Sequence, residues 1–250
     1  MIRLTENSVS KSNKQAPKRI AIIPARGGSK RIPGKNLAKI SGVPIIDYPI
    51  RTAIDSHLFD SVLVSSDDSA ILDHVSAMSG VSTNRRPKAL SDDFSTVYSV
   101  LRYEVERLRE NGQEFDEVWL LSATACLLEV TDLLKMSEFL DQDLIIESLL
   151  GVSEYQVPIQ WAMSLKQDGK LTSIDFKSFL NRSQDLVKYY HDAGCIAAFR
   201  NQVFQKHLEG VPEGEFYAFV LDPNKGLDID HPSDLILAEA LLSTREIPSL

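Results

Sequence analysis

Residues 20–37 read IAIIPARGGSKRIPGKNL, and this stretch decides the fold prediction. Its first four residues are apolar and end at Pro24, which is typical of a short buried strand in a parallel sheet. The glycine pair Gly27-Gly28 follows closely. Four cations accompany the pair: Arg26, Lys30, Arg31 and Lys35. A strand that opens into a glycine-containing cationic loop presents N–H groups and positive charge to phosphates. The sequence predicts a phosphate-binding loop; the alternative is a solvated basic loop.

The positive loop stands out because the chain as a whole is acidic. Its 250 residues include 27 basic and 35 acidic side chains, a net charge of −8. This balance argues against a nucleic-acid or anionic-membrane surface, since both favour excess Lys and Arg. The length fits one α/β domain with an insertion.

Compartment and termini are also predicted from composition. No apolar run approaches the roughly 18–20 residues that span a bilayer. Residues 1–17 are polar, lack the apolar centre of a signal peptide and are expected to form a flexible arm. Cys126 and Cys195 are too few for a disulfide framework or a zinc site, so we expect both to be reduced and buried, in the cytoplasm.

Alternating strands and helices predict an α/β fold with three layers and a mostly parallel sheet. Apolar runs predict strands at 20–23, 61–66, 117–123, 195–199 and 216–221. Helical periodicity predicts helices at 45–56, at 70–78, from a cap at Ser95 or Thr96 to Gly112, from Thr131, and after Pro232. Residues 85–95 are expected to be a surface loop. Short β-like runs and turn signals at about 143–180 predict a β-rich insertion.

Two common nucleotide loops do not fit residues 20–37. A dinucleotide-binding loop needs G-x-G-x-x-G, but only the adjacent glycine pair is present. A Walker A loop needs G-x-x-x-x-G-K-[ST], whereas five residues separate Gly28 from Gly34, and Asn36 occupies the Ser/Thr position. Neither an ATPase nor a dehydrogenase is supported.

A second signal is the triplet Asp228-Ile229-Asp230, which is predicted to lie at the end of a strand. Residues i and i+2 of a strand point to the same face, so the two carboxylates would converge. Paired carboxylates suit Mg²⁺, which completes its shell with water and phosphate oxygens. The alternative is a solvated turn. Together with a cationic loop, the pair favours a site for a metal-bound triphosphate.

Five motifs, in this order, resemble the CMP-sialic acid synthetase family of cytidylyltransferases, and most closely its pseudaminic acid branch. They are PARGGSKRIPGKN, VSSDD, RRPKALSDD, YYHDAG and LDIDHPSDLILAEAL. The resemblance extends from about Arg19 to Leu242. In residues 120–128, LLSATACLL, Ser122 replaces a glutamine of the sialic acid enzymes, Cys126 a proline and Leu128 an arginine.

The resemblance implies a fold of the nucleotide-diphospho-sugar transferase type, with residues 18–250 as the cytidylyltransferase domain and the insertion as the dimerisation element. It implies a homodimer that uses CTP and Mg²⁺ to activate a nine-carbon 2-keto sugar acid for surface glycan biosynthesis. The implied nucleotide-binding residues are Ala25, Arg26, Gly27, Ser29, Lys30, Lys35, Asn36, Arg86 and Asp92. The implied metal ligands are Asp228 and Asp230, and the implied sugar-binding residues are Ser122, Thr124, Arg182, Gln184, Tyr190 and His191.

In the implied reaction the anomeric hydroxyl of the sugar acid attacks the α-phosphorus of CTP and pyrophosphate leaves. Arg26, Lys35 and Asp230 would act in catalysis. Asp230 and His191 are the candidates for a general base, and His191 is equally well interpreted as a loop residue. Pseudaminic acid is the favoured acceptor. The alternatives are a CMP-N-acetylneuraminate or CMP-legionaminate synthetase, and a non-catalytic nucleotide-binding homologue.

Overall fold

A computed structural model describes residues 16–92, 94–206 and 216–245. The strands within these ranges are β1 (Arg19–Pro24), β2 (Lys39–Ile40), β3 (Val43–Pro44), β4 (Ser61–Ser66), β5 (Ser82–Arg85), β6 (Glu117–Leu121), β7 (Ser148–Glu154), β8 (Met163–Leu165), β9 (Leu171–Ser173), β10 (Tyr190–Arg200) and β11 (Tyr217–Val220). The α-helices are α1 (Asp47–Asp55), α2 (Ser69–Ser76), α3 (Val97–Glu110), α4 (Val130–Gln142), α5 (Phe176–Phe179), α6 (Gln202–Lys206) and α7 (Pro232–Arg245). Most of the predicted N-terminal arm, residues 1–15, lies outside the described residues.

One seven-stranded sheet forms the centre of the fold, with the order β11-β7-β10-β6-β1-β4-β5. Strands β6, β1, β4 and β5 are parallel to one another. Strand β10 is antiparallel to both of its neighbours, β6 and β7, and β11 is parallel to β7. The mostly parallel sheet is therefore as predicted, with one reversed strand near its middle.

Two apolar layers cover the sheet, and successive residues of β1 alternate between them. Ala21 and Ile23 pack in a cluster with residues of α1, α2 and α4, whereas Ile20 and Ile22 pack in a second cluster with α3 and α6. Side chains of a strand point alternately to opposite faces, so a strand covered on both sides is apolar at every position. The predicted three-layer α/β architecture is confirmed.

The helix starts follow from local capping. Asp68 caps α2 by accepting a hydrogen bond from the Ala70 N–H at 2.7 Å. Thr96, one of the two predicted caps, accepts from the Ser99 N–H before α3. Before α4, Glu129 and Asp132 form a reciprocal capping box. Each cap satisfies backbone donors that the first turn of a helix leaves unpaired.

Three local predictions differ from the structure. Strand β5 was not predicted, because its sequence STNR has no apolar residue; it pairs only with β4 at the sheet edge. Strand β7 lies in the proposed insertion range yet belongs to the central sheet, so only the hairpin of β8 and β9 forms a separate sheet there. Asp228 and Asp230 lie in an irregular segment rather than at the end of a strand, since no strand ladder among the described residues includes them.

Within the described part of the chain, no helix is both long and apolar enough to cross a membrane.

Candidate active site

Two adjoining cavities open where β1 and β6 end. The first has a volume of about 320 Å³ and the second about 310 Å³. Five residues line both: Pro24, Lys35, Ser122, Thr124 and Asp230. In α/β sheets, the carboxyl ends of the strands are where loops assemble ligand sites. The predicted cationic loop and the predicted carboxylates therefore meet at one cleft.

The first cavity is the cationic half of this cleft. Its remaining lining residues are Arg26, Ser29, Lys30, Arg31, Asn36 and Ala123. The loop is held from inside by Asn36, which is buried and donates from Nδ2 to the Arg26 carbonyl at 2.9 Å. Gly34 has φ +65°, a conformation that glycine adopts readily, and precedes the short 3₁₀ turn Lys35–Leu37. The cations are thus presented by an ordered turn.

A small apolar cluster beneath the cleft fixes the relative positions of its parts. Ile32 from the cationic loop, Cys126 and Leu127 from the segment after β6, and Ile229 from between the two aspartates are buried together. Ile229 points into this cluster, whereas Asp228 and Asp230 on either side of it line the second cavity. The predicted i, i+2 convergence is therefore present without a strand.

Asp230 is held by two cations of the loop. One carboxylate oxygen accepts from Arg31 Nη1 and the other from Lys35 Nζ at 3.3 Å. Lys35 Nζ also donates to the Ile229 carbonyl at 2.7 Å. Partial burial raises the pKa of Asp230, but the hydrogen bonds from Arg31 and Lys35 outweigh burial and hold that pKa below its ordinary value. Asp230 is therefore a carboxylate at neutral pH.

Asp228 lines the second cavity and has the opposite electrostatic situation. Burial and the charge of Asp230 raise the pKa of Asp228, and Lys35 offsets this only in part. The two carboxylates are thus close enough to repel, and a divalent cation between them would relieve that repulsion. Across residues 16–92, 94–206 and 216–245, no group of three or more His, Cys, Asp or Glu side chains could hold a metal ion. The donor set fits Mg²⁺ bound by two carboxylates and completed by phosphate oxygens and water.

The second cavity is mixed in character. Its apolar lining consists of Val97, Leu120, Leu150, Ile196 and Ala197, and its further polar lining includes Tyr98 and Asp192. At the wall that both cavities share, Ser122 Oγ and Thr124 Oγ1 are 3.0 Å apart. These two hydroxyls are the members of the predicted sugar-binding set that line the cleft.

The other predicted sugar-binding residues lie outside both cavities. Arg182 pairs with Asp185 at 2.9 Å on the surface, and Gln184 lines a separate cavity beside Tyr155. Tyr190 is exposed at the start of β10. The His191 ring packs against Tyr155 in a tilted arrangement, with centroids 4.9 Å apart. Their roles in sugar binding, and that of His191 as a base, stay predictions.

The predicted nucleotide-binding residues outside the first cavity support it from behind. Arg86 is 5% exposed; it donates from Nε to Ser91 Oγ at 2.9 Å, and burial lowers its pKa. The Asp92 carbonyl accepts a hydrogen bond from Arg26 Nη1 at 3.4 Å. The Gly27 N–H donates to Asp67 Oδ1 at 3.1 Å. Ala25 is buried, and its N–H donates to the Ser65 carbonyl.

Leu128 is also buried in the core and lines neither cavity, so it cannot contact an acceptor there directly.

Three polar side chains that line the cleft were not among the predicted site residues: Arg31, Tyr98 and Asp192. Arg31 was recognised as a cation of the loop, and its position there was the available signal. Asp192 lies in the quoted motif YYHDAG. Tyr98 lies on α3, outside all of the quoted motifs, so no sequence signal pointed to it. Lys225 donates to Glu129 and Asp132 at 2.7–2.8 Å, which ties the chain before Asp228 to the start of α4. Only the folded chain reveals this last connection.

The chain is similar in sequence to known proteins over most of its length. The family model described as Cytidylyltransferase matches residues 20–241. The chain is 37% identical over 226 residues to a pseudaminic acid cytidylyltransferase of Campylobacter jejuni, covering 90% of this chain and 96% of that protein. It is 28% identical to the CMP-N,N'-diacetyllegionaminic acid synthase of Legionella pneumophila, covering 91% of this chain and 97% of that one.

The fold has a counterpart among solved structures. A CMP:2-keto-3-deoxy-manno-octonic acid synthetase complexed with CTP superposes with a TM-score of 0.68 at 20% identity, covering 91% of this chain and 99% of that one. The predicted type of fold is thereby confirmed. The family match spans most of the sequence and includes both the cationic loop and the aspartate pair, so the chain belongs to the cytidylyltransferase family.

Proposed function

We propose that this protein transfers CMP from CTP to a nine-carbon 2-keto sugar acid and releases pyrophosphate, with pseudaminic acid as the favoured acceptor. The observation that supports the reaction is the meeting of Arg26, Lys30 and Lys35 with Asp228 and Asp230 at one cleft. A cationic loop opposite a carboxylate pair suits a metal-bound triphosphate. The 37% identity to the Campylobacter jejuni enzyme supports the acceptor. A CMP-N-acetylneuraminate or CMP-legionaminate synthetase is the alternative.

In the reaction, the acceptor hydroxyl attacks the α-phosphorus of CTP, a P–O bond forms, and the bond to pyrophosphate breaks. Arg26, Lys30 and Lys35 bind the triphosphate oxygens and stabilise the charge that grows on the departing pyrophosphate. Ser29 and Asn36 donate hydrogen bonds nearby. The Arg86–Asp92 segment and the backbone at Ala25 and Gly27 form the cytosine side of the site, where unsatisfied polar groups would penalise a wrong base.

Asp228 and Asp230 would hold Mg²⁺, which supplies charge neutralisation at the phosphates and lowers the pKa of the attacking hydroxyl. The proton of that hydroxyl needs an acceptor, and Asp230 and His191 are the candidates. Position favours Asp230, because it lines both cavities while His191 packs on Tyr155. The low pKa of Asp230 makes this carboxylate a weak base. Its role as proton acceptor would therefore depend on the lowered pKa of the attacking hydroxyl.

The proposal extends to assembly and compartment. Large apolar side chains are exposed on the segment around β8 and β9: Val157, Leu165, Leu171, Ile174, Leu180 and Val187. A concentration of exposed apolar side chains on one segment is typical of protein interfaces, which supports a homodimer formed through this segment. Both cysteines are buried thiols rather than a disulfide, in keeping with a cytoplasmic enzyme.

The deciding experiment measures pyrophosphate release with CTP, Mg²⁺ and a panel of nine-carbon sugar acids. We expect turnover with a 5,7-diacetamido acid and slower turnover with N-acetylneuraminate. Replacement of CTP by UTP or ATP should abolish the signal. CTP binding without turnover for any acceptor would instead support a non-catalytic nucleotide-binding homologue.

A further inference from the structure

The second cavity has a wall that the proposed reaction has not yet used. This wall consists of Tyr98 from α3 and Asp192 from the start of β10, set among apolar side chains. Ser122, Thr124 and Lys35 separate it from the cationic half of the cleft. It is therefore positioned to contact the part of an acceptor that lies away from the phosphates.

A bulge in β10 brings Asp192 to this wall. The residues Asp192 and Ala197 of β10 pair with Val152 and Leu150 of β7, so five residue steps on one strand oppose two on the other. Gly194 within the bulge has φ +65°, and its N–H donates to Asp192 Oδ1 at 2.7 Å. The Ser122 N–H donates to the Cys195 carbonyl at 2.9 Å and anchors the bulge to the end of β6. Bulges beside active sites commonly redirect a side chain.

The hydrogen-bonding capacity of the wall is directed at a ligand. Asp192 is exposed, and of its two carboxylate oxygens only Oδ1 has a hydrogen-bond partner within the described residues. The Tyr98 ring packs edge-on against Phe199 at 5.8 Å, and its hydroxyl makes no hydrogen bond in the described part of the chain. Burial and the charge of Asp192 raise the pKa of Tyr98, so the phenol is protonated and can donate at neutral pH. One acceptor and one donor thus stand beside apolar surface.

Charge sets the orientation of an acidic acceptor in the cleft. Asp192 and Asp228 line only the second cavity and make it unfavourable for a carboxylate, whereas Arg26, Lys30 and Arg31 line only the first cavity and make it favourable. The carboxylate end of a sugar acid is therefore expected to lie toward the first cavity. Its substituted end then enters the second cavity.

We infer that Tyr98 and Asp192 are specificity-determining residues that recognise an acylamino substituent of the acceptor. The inference rests on the proposed function and names the chemical group that the site selects. An acylamino group has an N–H that can donate a hydrogen bond to Asp192 and a carbonyl that can accept one from Tyr98. Its methyl group can pack against Leu120, Leu150 and Ile196. A free hydroxyl in its place satisfies only part of this set.

The test compares two acceptors that differ in one substituent, a 5,7-diacetamido nine-carbon acid and its 5-acetamido-7-hydroxy analogue. Wild-type protein, Tyr98→Phe and Asp192→Ala are each assayed for kcat and KM with both acceptors. We expect each variant to lower kcat/KM for the diacetamido acid by about 10- to 100-fold, as for loss of a hydrogen bond to a buried or charged group. The effect should appear mainly in the acceptor KM, with a much smaller change for the hydroxy analogue. The wild-type preference between the acceptors would therefore shrink.

Controls separate this inference from folding and from the proposed function. Tyr98→Phe keeps the ring that packs on Phe199, and calorimetric CTP affinity reports whether each variant retains the nucleotide half. Asp73→Asn, on the exposed face of α2, should leave both acceptors unaffected. Equal losses for both acceptors, or an unchanged preference, would overturn the inference while the proposed reaction stands. Absence of wild-type turnover with every sugar acid would overturn the proposed function itself.

Discussion

Lys35 Nζ donates a hydrogen bond to the main-chain oxygen of Ile229 at 2.7 Å, across 194 positions of sequence. This contact joins the cationic loop to the segment between Asp228 and Asp230. The lysine therefore both supplies charge and fixes the separation between loop and carboxylates.

We expect Lys35→Ala to lower kcat for pyrophosphate release by about 10²- to 10³-fold, the effect of removing one group that stabilises transition-state charge. Lys35→Arg should recover part of the rate, because it keeps the charge with a different geometry. The measurement is steady-state kinetics with CTP and the preferred sugar acid. A variant with normal kcat and only a modestly raised KM for CTP would show that Lys35 is peripheral.

Asp228→Asn should abolish magnesium-dependent turnover while the fold is retained. The change removes one of the two carboxylates proposed to bind Mg²⁺ and keeps the size of the side chain. A magnesium titration of the rate, with circular dichroism as a check on folding, measures this. The matched control is Asp73→Asn on the exposed face of α2, which should behave as wild type. Near-normal turnover of the Asp228 variant would refute the metal assignment.

Gly27→Ala and Gly28→Ala should differ sharply, although they are neighbours. A Cβ on Gly27 would lie 2.7 Å from the Asp68 Cβ, and Asp68 is held in place as the cap of α2. A Cβ on Gly28 would meet nothing within 4 Å. We expect the first change to weaken CTP binding at least about tenfold by displacing the loop, and the second to leave it nearly unchanged, as surface substitutions usually are. Equal affinities by calorimetry would mean that the loop tolerates the displacement.

Glu117→Ala should destabilise the fold without altering the cleft. Glu117 is fully buried at the first position of β6 and pairs with Arg19 at 2.8 Å and Arg200 at 2.7 Å. Removing one partner of a buried ion pair costs about 3–5 kcal/mol, because the other charge stays buried. Urea denaturation measures this loss, and the affinity for CTP should be unchanged. Glu106→Ala, which breaks an exposed pair with Arg102, should cost less than about 1 kcal/mol.

Cys195 predicts a pH dependence of stability. Burial, followed by the charge of Asp192, raises the pKa of the Cys195 thiol to about 12 from an ordinary value of 9.0. Between these values the unfolded thiol loses its proton and the folded thiol keeps it, so stability falls as pH rises through this window and is unaffected below it. The loss of unfolding free energy between pH 8 and pH 10 should be smaller for Cys195→Ala than for wild type. Identical losses would contradict the shift.

Local sequence signals were sufficient for much of the fold. The apolar runs at Ile20 and Val62 predicted parallel strands because both faces of the sheet are covered. Thr96 was a recognisable cap because hydroxyl side chains satisfy the first turn of a helix. Strand β5 had no such signal, since a polar edge strand is defined by its neighbour β4.

The cationic side of the cleft was predictable for a similar reason, since its cations lie within ten residues of one another in sequence. The second cavity was not, because Tyr98, Leu150 and Asp192 come from three separate elements whose proximity depends on the reversal of β10. Arg182 and His191 were included in the predicted set by resemblance, and the structure places them outside both cavities. Long-range pairing of this kind is invisible to local patterns.

The residues that line both cavities would couple the binding of the two proposed substrates thermodynamically. Lys35 and Asp230 line both spaces, so drawing Lys35 toward a phosphate in one changes the electric field in the other. Binding free energies coupled in this way are reciprocal: the factor by which CTP alters affinity for the sugar acid equals the factor by which the sugar acid alters affinity for CTP. We therefore expect a substitution at Lys35 or Asp230 to change the affinity for both ligands, even when only one of them touches the altered side chain.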